Sequence, residues 1–361
     1  MKVLIIGAGS GGMAAVAELT RAGHDVVLWN RSAATLAPLQ QRGGVGFEGV
    51  LGSGVAVPRL TTADLAAAVV DVEVAVVTLP TFSHAPVARA LAEAGWDASR
   101  PVILNPGHTG GALEFFTAYR SVRDDVPPIA EFSTLTYVAR KYSPDVVTVT
   151  GRAKHVHAAA LPGGERALEI ARSLFPGVAP ARDVLFCDLC NLNMVLHAPG
   201  AILAAAWVEA RKGDFTFYVE AMTPGVVRIM RELDRERQAV ARAFGHEMPS
   251  VVDEMKLVGT VDQRANSDDY AAAISGGEAN KKIKGPDSLS HRYYREDFGH
   301  GLLPFLELAK IAEVPTPVAS SLYQLAGILC GTDFAEFGRT AKAMGIAGFT
   351  KARLLERVRN G

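Results

Sequence analysis

Val3-Leu4-Ile5-Ile6-Gly7-Ala8-Gly9-Ser10-Gly11-Gly12 decides the fold of this chain. Four apolar residues ending at a glycine read as a strand buried on both faces of a parallel sheet. Met13, Val16, Ala17 and Leu19 then approximate helical spacing, Gly23 supplies a stop, and Val26 to Trp29 forms a second strand. Between strand and helix lies G-x-G-x-x-G. Gly7 serves the tight turn, Gly9 lets backbone approach a diphosphate, Gly12 permits close helix–sheet packing, and Ser10 and Gly11 complete the loop at the helix N-terminus. This is the signature of a dinucleotide-binding βαβ unit.

The alternation continues outward. Thr35 to Gln41 reads as helix, Val74 to Leu79 as a strand closed by Pro80, Ala85 to Ala94 as helix, and Val102 to Leu104 as a strand closed by Asn105-Pro106-Gly107. Such alternation predicts an α/β architecture, a Rossmann doubly wound parallel sheet. After Ile129, Val146 to Thr150 and His155 to Ala160 are expected to extend that sheet, followed by a helix over 164–174. Beyond Arg182, helical spacing recurs over 201–211, 226–244, 249–258, 303–311, 317–329 and 351–358 with little strand signal. The expected division is a nucleotide domain over 1–182 and an all-α C-terminal domain over 183–361. Pro199 is expected to end or bend its helix. Gly276-Gly277 and Lys281-Lys282-Ile283-Lys284 read as a loop.

The bulk properties fit a globular protein. The chain has 361 residues, 49% hydrophobic and 21% charged, enough to build a large core in two domains. A formal net charge of -1 gives no overall field for nucleic acid. Three cysteines, Cys187, Cys190 and Cys330, suit a reducing, cytoplasmic setting better than a disulfide framework. The N-terminus imitates a signal peptide, but its glycines interrupt the apolar run. Ala198 to Val208, the longest apolar stretch, falls short of the roughly 20 residues that span a bilayer, so no membrane segment is expected. The apolar helices of the second half are as compatible with a homodimer as with an intramolecular core.

Several positions carry chemistry. An NAD site normally has an acidic residue at the end of the second strand, where this chain has Asn30-Arg31-Ser32. Arg31 can pair with a 2′-phosphate, which favours NADP, with NAD as the alternative. Pro80 and Thr81 after one strand, and Asn105, Gly107 and Thr109 after the next, sit where open α/β sheets line the cofactor path. His108 in that loop reads as a packing or cofactor contact more readily than as a catalyst. Asn193 and His197, four residues apart, share a helical face. A histidine among apolar residues is a core residue by default. His291 to Asp297 encloses two tyrosines among charges, and an imidazole held by a carboxylate beside an arginine would make an acid/base pair with a carboxylate clamp. Cys187-Asp188-Leu189-Cys190 lacks two further zinc ligands and a thioredoxin-like setting, and His155-Val156-His157 lacks a third ligand. No metal is expected.

With the nucleotide fingerprint, Asn193 to His197 and Arg292 to Asp297 in this order, the sequence resembles the octopine/nopaline, or opine, dehydrogenase family over nearly its whole length. Asn105-Pro106-Gly107 through Glu114, Phe217-Tyr218-Val219-Glu220 with Thr223-Pro224, Gly285-Pro286, Gly301-Leu302 with Pro304, and Val314-Pro315-Thr316-Pro317 carry the likeness further. The resemblance implies that the domain over 183–361 is the catalytic and substrate domain, with a catalytic pair at His197 and Asp297 and Arg292 as carboxylate clamp or support. It also implies substrate contacts at Thr134, Asn193 and Arg292 and a meeting of substrates in an interdomain cleft. The implied reaction condenses an α-keto acid such as pyruvate with an amino acid's amine and reduces the imine with a nicotinamide hydride. Ala139 in Val138-Ala139-Arg140 stands where several relatives have cysteine. A keto or hydroxy acid reductase of ketopantoate reductase or β-hydroxyacid dehydrogenase type is the nearest alternative. Those enzymes usually rely on a lysine where this chain has Asn193 and His197. A non-catalytic NADP-binding sensor is a second alternative.

Overall fold

The structure, a computed structural model, describes residues 1–277 and 280–361. It divides into two compact units: Met1–Gly107 with Gly111–Val184 and Gly361, and Leu185–Asn360 with His108–Gly110. The break follows Val184 rather than residue 182, and nothing in the sequence spacing foretells that three loop residues belong to the second unit.

The first unit contains β1 (Lys2–Ile6), β2 (Asp25–Trp29), β3 (Val45–Gly49), β4 (Gly54–Ala56), β5 (Leu60–Thr62), β6 (Val74–Val77), β7 (Val102–Leu104), β8 (Ile129–Phe132), β9 (Tyr137–Ser143), β10 (Val146–Arg152), β11 (Val156–Ala160) and β12 (Val178–Pro180). Its helices are α1 (Ser10–Arg21), α2 (Ala33–Arg42), α3 (Leu65–Ala68), α4 (His84–Glu93), α5 (Gly111–Arg120) and α6 (Glu165–Leu174). Eight strands form one sheet in the order β12-β11-β8-β7-β6-β1-β2-β5. Every neighbouring pair in it is parallel except β11 with β8. Strand β1 lies in the middle, with Ile5 paired to both Leu28 and Val76, and Val3 to Ile6 are wholly buried. The chain leaves β1 toward β2 on one side and returns to β6 on the other. The carboxyl ends of β1 and β6 are therefore the crevice at which such sheets place a ligand.

Residues 146–150 do not extend this sheet. Strand β10 pairs antiparallel with β9 across a tight connection and parallel with β3, in a separate sheet ordered β4-β3-β10-β9. The reason is legible in the burial: Val147 and Val149 are fully buried while Thr148 and Thr150 are not. Alternation suits a sheet covered on one face, whereas the central strands are apolar on both. The covering element is α1. Its Glu18 accepts from the Tyr137 hydroxyl at 2.6 Å and pairs with Arg152 at 2.9 Å, which fixes the nucleotide-loop helix against this second sheet.

The second unit follows from α7 (Val184–Leu189) through α8 (Leu192–Leu203), α9 (Ala205–Arg211), α10 (Pro224–Ala243), α11 (Val251–Val258), α12 (Tyr270–Gly276), α13 (Leu303–Ala312), α14 (Pro317–Cys330) and α15 (Lys351–Arg359). Helix α8 packs on α10 and on a π-helix, Tyr294–Leu302, which runs directly into α13. Pro199 does not end α8. The helix continues to Leu203 and breaks at Ala204, since the proline removes one backbone donor in a segment held by buried neighbours on every side. The expected loop over 276–284 includes residues 278 and 279, which lie outside the described residues. Beyond them, Lys284 pairs with Asp214 at 3.0 Å. No single helix among the described residues is long and apolar enough to cross a membrane.

Candidate active site

In the first unit, the loop after β1 is built from backbone. Gly7 N–H donates to Trp29 O at 2.8 Å, and Ala8 N–H donates to Asn30 Oδ1 at 3.1 Å, so Asn30 secures the loop from the end of β2. Gly7 has φ +117°, a conformation that disfavours any side chain. A methyl on Gly12 would lie 1.8 Å from Gly7 O, whereas one on Gly9 would meet nothing within 4 Å. The packing between sheet and helix is thus closed at Gly12 and open at Gly9. Helix α1 begins with no side-chain cap, leaving its first N–H groups available to an anion. Ser32 caps α2 by accepting from Thr35 N–H at 3.3 Å. Arg31 is exposed and makes no ion pair with any described residue.

Of the other expected cofactor residues, Thr81 is buried in a short 3₁₀ turn after Pro80, which is half-buried. The side chain of Asn105 is fully buried; it donates to Thr136 Oγ1 at 3.0 Å and accepts from Thr136 N–H at 3.2 Å. Gly107 admits no side chain, for a methyl there would lie 2.0 Å from Glu131 Oε2. Thr134 is half-buried in the loop after β8. Thr109 belongs to the second unit, where its hydroxyl donates to Asp188 O at 3.0 Å and accepts from Asn191 Nδ2 at 3.1 Å.

In the second unit, residues 100 positions apart in the sequence meet. His197 on α8 and Asp297 in the π-helix are joined by a 2.8 Å bond between Nδ1 and Oδ2, with the residues only 5% and 4% exposed. The other ring nitrogen, Nε2, is 2.7 Å from the Tyr218 hydroxyl. Tyr293 stacks on the imidazole with centroids 4.0 Å apart and planes at 14°, and Phe217 meets it edge-on at 5.8 Å. A carboxylate at Nδ1 accepts its proton, so the tautomer carries Nδ1–H and the Tyr218 hydroxyl donates to Nε2. Arg292 is exposed, its guanidinium 5.9 Å from the Tyr293 ring centroid and without an ion pair among the described residues. Asn193, one turn before His197, is half-buried and bonds to no described side chain.

Nearby, His108 is held at φ +57° with Nδ1 3.0 Å from Asn191 Oδ1. Burial pulls its pKa below the ordinary imidazole value, only partly offset by the carboxylates of Glu296 and Asp297. A neutral His108 thus serves the loop, together with Arg339, which donates to Thr109 O at 2.6 Å. Cys187 and Cys190 are buried free thiols, and burial pushes the Cys190 thiol well up, away from the thiolate that metal binding or exchange needs. Tyr218, which meets His197 Nε2, is not among the residues singled out from the sequence, although it lies in one of the segments carrying the resemblance. Its only local signal is a tyrosine amid buried aromatic residues.

The profile described as NAD/NADP octopine/nopaline dehydrogenase, alpha-helical domain, matches residues 180–330, and that of ketopantoate reductase PanE/ApbA matches residues 3–105. An opine dehydrogenase of Arthrobacter sp. (strain 1C) is 34% identical, over 96% of each chain. The chain belongs to the opine dehydrogenase family. Vitopine synthase of Allorhizobium ampelinum is 24% identical over 98% of each chain. Among solved structures, an octopine dehydrogenase with NADH and L-arginine superposes with a TM-score of 0.76 at 20% identity, covering 98% of both chains. A yersinopine dehydrogenase with NADP+ bound gives 0.75 at 14% identity, covering 99% of this chain and 98% of its own. These last two likenesses extend the shared fold across both units of an opine dehydrogenase.

Proposed function

We propose that this opine dehydrogenase homologue joins the carbonyl of an α-keto acid, such as pyruvate, to the amino group of an amino acid and reduces the product to an N-(1-carboxyalkyl) amino acid, NAD(P)H being the reductant. The buried His197–Asp297 pair carries this reading, because a hydrogen-bonded imidazole and carboxylate are what the proton transfers of condensation require. Relatives whose structures contain pyruvate, L-arginine or agmatine with an octopine dehydrogenase support the substrate classes. The donor group is then a secondary amine, CH–NH, in the reverse direction.

The residues present fit a dinucleotide. The open space over Gly9, the uncapped start of α1 and the unpaired Arg31 suit a diphosphate and a 2′-phosphate. Gly7 to Gly12 and Asn30 to Ser32 would hold it, with Pro80, Thr81, Asn105, Gly107 and Thr109 shaping its path. When bound, the nicotinamide supplies the hydride. Arg31, with no acidic residue beside it at the end of β2, supports a preference for NADP over NAD.

The chain's own groups manage protons and carboxylates. Asp297 fixes the tautomer of His197 and stabilises it when protonated, so that the imidazole is the final acceptor of the proton lost by the substrate ammonium and the source of the proton with which the carbinolamine hydroxyl departs as water. Arg292 binds a substrate carboxylate, and Asn193 and Thr134 add polar contacts. Following the 340 nm absorbance of NADPH or NADH with pyruvate and single added amino acids tests the reading. Oxidation requiring both keto acid and amine is expected; oxidation with keto acid alone refutes it in favour of a hydroxy acid reductase.

A further inference from the structure

Both ring nitrogens of His197 are already hydrogen-bonded. Asp297 holds Nδ1 at 2.8 Å, Tyr218 holds Nε2 at 2.7 Å, and Tyr293 covers a face at 4.0 Å. The histidine is 5% exposed and Tyr218 7%, so what separates them is bonding and not burial. For Nε2 to touch a substrate atom directly, its bond to Tyr218 would have to break. The hydroxyl that holds Nε2, by contrast, is a group able to donate one proton while accepting another. Its ring is fixed by an edge-on contact with Phe217 at 5.2 Å, and the segment after it, Glu220, is anchored by accepting from Thr216 N–H at 2.6 Å. Tyr218 is therefore positioned rather than free to swing.

Resting on the opine dehydrogenase reading above, we propose that Tyr218 is the proton relay of the His197–Asp297 pair. Its oxygen takes a proton from the substrate ammonium as its own proton passes to Nε2. The phenol is neutral before and after, the imidazole becomes imidazolium beside Asp297, and the amine is free to attack the keto carbon. At dehydration the same chain runs backward: Nε2 gives its proton to the Tyr218 oxygen, whose other proton goes to the carbinolamine hydroxyl, and the C–O bond breaks to release water. The proton taken from the ammonium thus leaves in that water, and no oxidant is consumed.

The test compares wild type with Tyr218→Phe and with 3,5-difluorotyrosine installed at position 218, which retains ring and hydroxyl but makes the phenol more acidic. Wild type should show a bowl-shaped dependence of kcat on the deuterium fraction of the solvent, from two protons moving together. Tyr218→Phe should lose roughly 10²–10⁴-fold in kcat, the size of a general acid–base contribution, with little change in KM and unchanged NADPH affinity. The fluorinated enzyme should lose activity at lower pH than wild type, as its phenol ionises and can no longer donate. Tyr218→Phe within threefold of the wild-type kcat, or a fluorinated enzyme with an unaltered pH profile, overturns the relay. A wild type lacking amine-dependent turnover instead overturns the reading on which the relay rests.

Discussion

Two glycines three residues apart separate the role of the nucleotide loop from the packing of its helix. In Gly12→Ala the new methyl would sit 1.8 Å from Gly7 O and 2.7 Å from Thr78 Oγ1. Ordinary contact lies roughly 1.5 Å further out than the first of these, so the start of α1 must retreat from β1. Overpacking of this kind destabilises by about 1–3 kcal/mol, or several degrees in Tm for a unit of this size. The same retreat draws two or more N–H donors off a bound diphosphate. At about 1.5–3 kcal/mol for each hydrogen bond to a charged group, NADPH affinity falls by two to four orders of magnitude. Gly9→Ala is different. Its backbone, φ -78° and ψ -174°, suits alanine, and the methyl meets no protein atom within 4 Å. Its stability should stay within about 0.5 kcal/mol of wild type. Yet the methyl fills the space where the diphosphate backbone would approach, and NADPH affinity should still drop at least about tenfold. Thermal melts paired with fluorescence titration of NADPH read both quantities. Gly9→Ala binding NADPH as tightly as wild type would refute the cradle, whatever Gly12→Ala does.

Arg31→Ala should weaken NADPH about 10- to 100-fold, from the loss of a charge-assisted contact, and leave NADH nearly unchanged; equal losses for both nucleotides in parallel titrations would disprove a 2′-phosphate role. Asp297→Asn removes the acceptor that sets the His197 tautomer and should lower kcat roughly 10²–10⁴-fold with NADPH affinity intact, as steady-state kinetics and titration together will show. His300 is 3% exposed, and burial, reinforced by Arg339, brings its pKa down to about 3. The unfolded chain therefore binds the extra proton between about pH 6.5 and 3, so this contribution to stability is present above the unfolded value and is lost as pH falls through that window. About 2 kcal/mol should disappear between pH 7 and pH 5. Urea melts of wild type and His300→Gln settle it, since the variant should lose that part of the slope.

How much of this was legible depends on how far apart in the sequence the deciding residues lie. The β1–α1–β2 unit could be read because its strand, glycines and helix are contiguous and each residue's role is local. The second sheet could not, because β10 owes its place to β9 and to β3, a hundred residues earlier, and to α1 covering one face. Alternation at Val147 and Val149 was the available clue. The three residues His108–Gly110 sit in a loop of the first unit by sequence, and only the tertiary bonds to Asp188, Asn191 and Arg339 assign them to the second. The meeting of His197 with Asp297 came from family resemblance; no spacing rule joins positions 100 apart. The default reading of His197 as a satisfied core histidine also describes it correctly, since both nitrogens are bonded and the ring is buried. Burial does not compete with the catalytic role proposed for His197.

The places where this chain departs from local rules explain why. Helix α1 starts without a cap, His108 holds φ +57°, a proline sits inside α8 two residues after His197, and Asp297 lies in a π-helix. Each feature is less stable than an ordinary alternative. An apolar pair in place of the buried His197 and Asp297 would at least match them in stability, because the desolvation of both groups offsets much of their attraction. Stability alone therefore does not account for the pair. In the π-helix and the turn before it, Tyr293 and Asp297 are brought to the same imidazole, one against its face and the other at Nδ1, so the backbone irregularity fixes the ring in both plane and tautomer. Irregular backbone at the His197–Asp297 pair and an uncapped helix at the nucleotide loop are understandable together: the one fixes an imidazole in plane and tautomer, the other leaves backbone donors for an anion the protein itself does not provide.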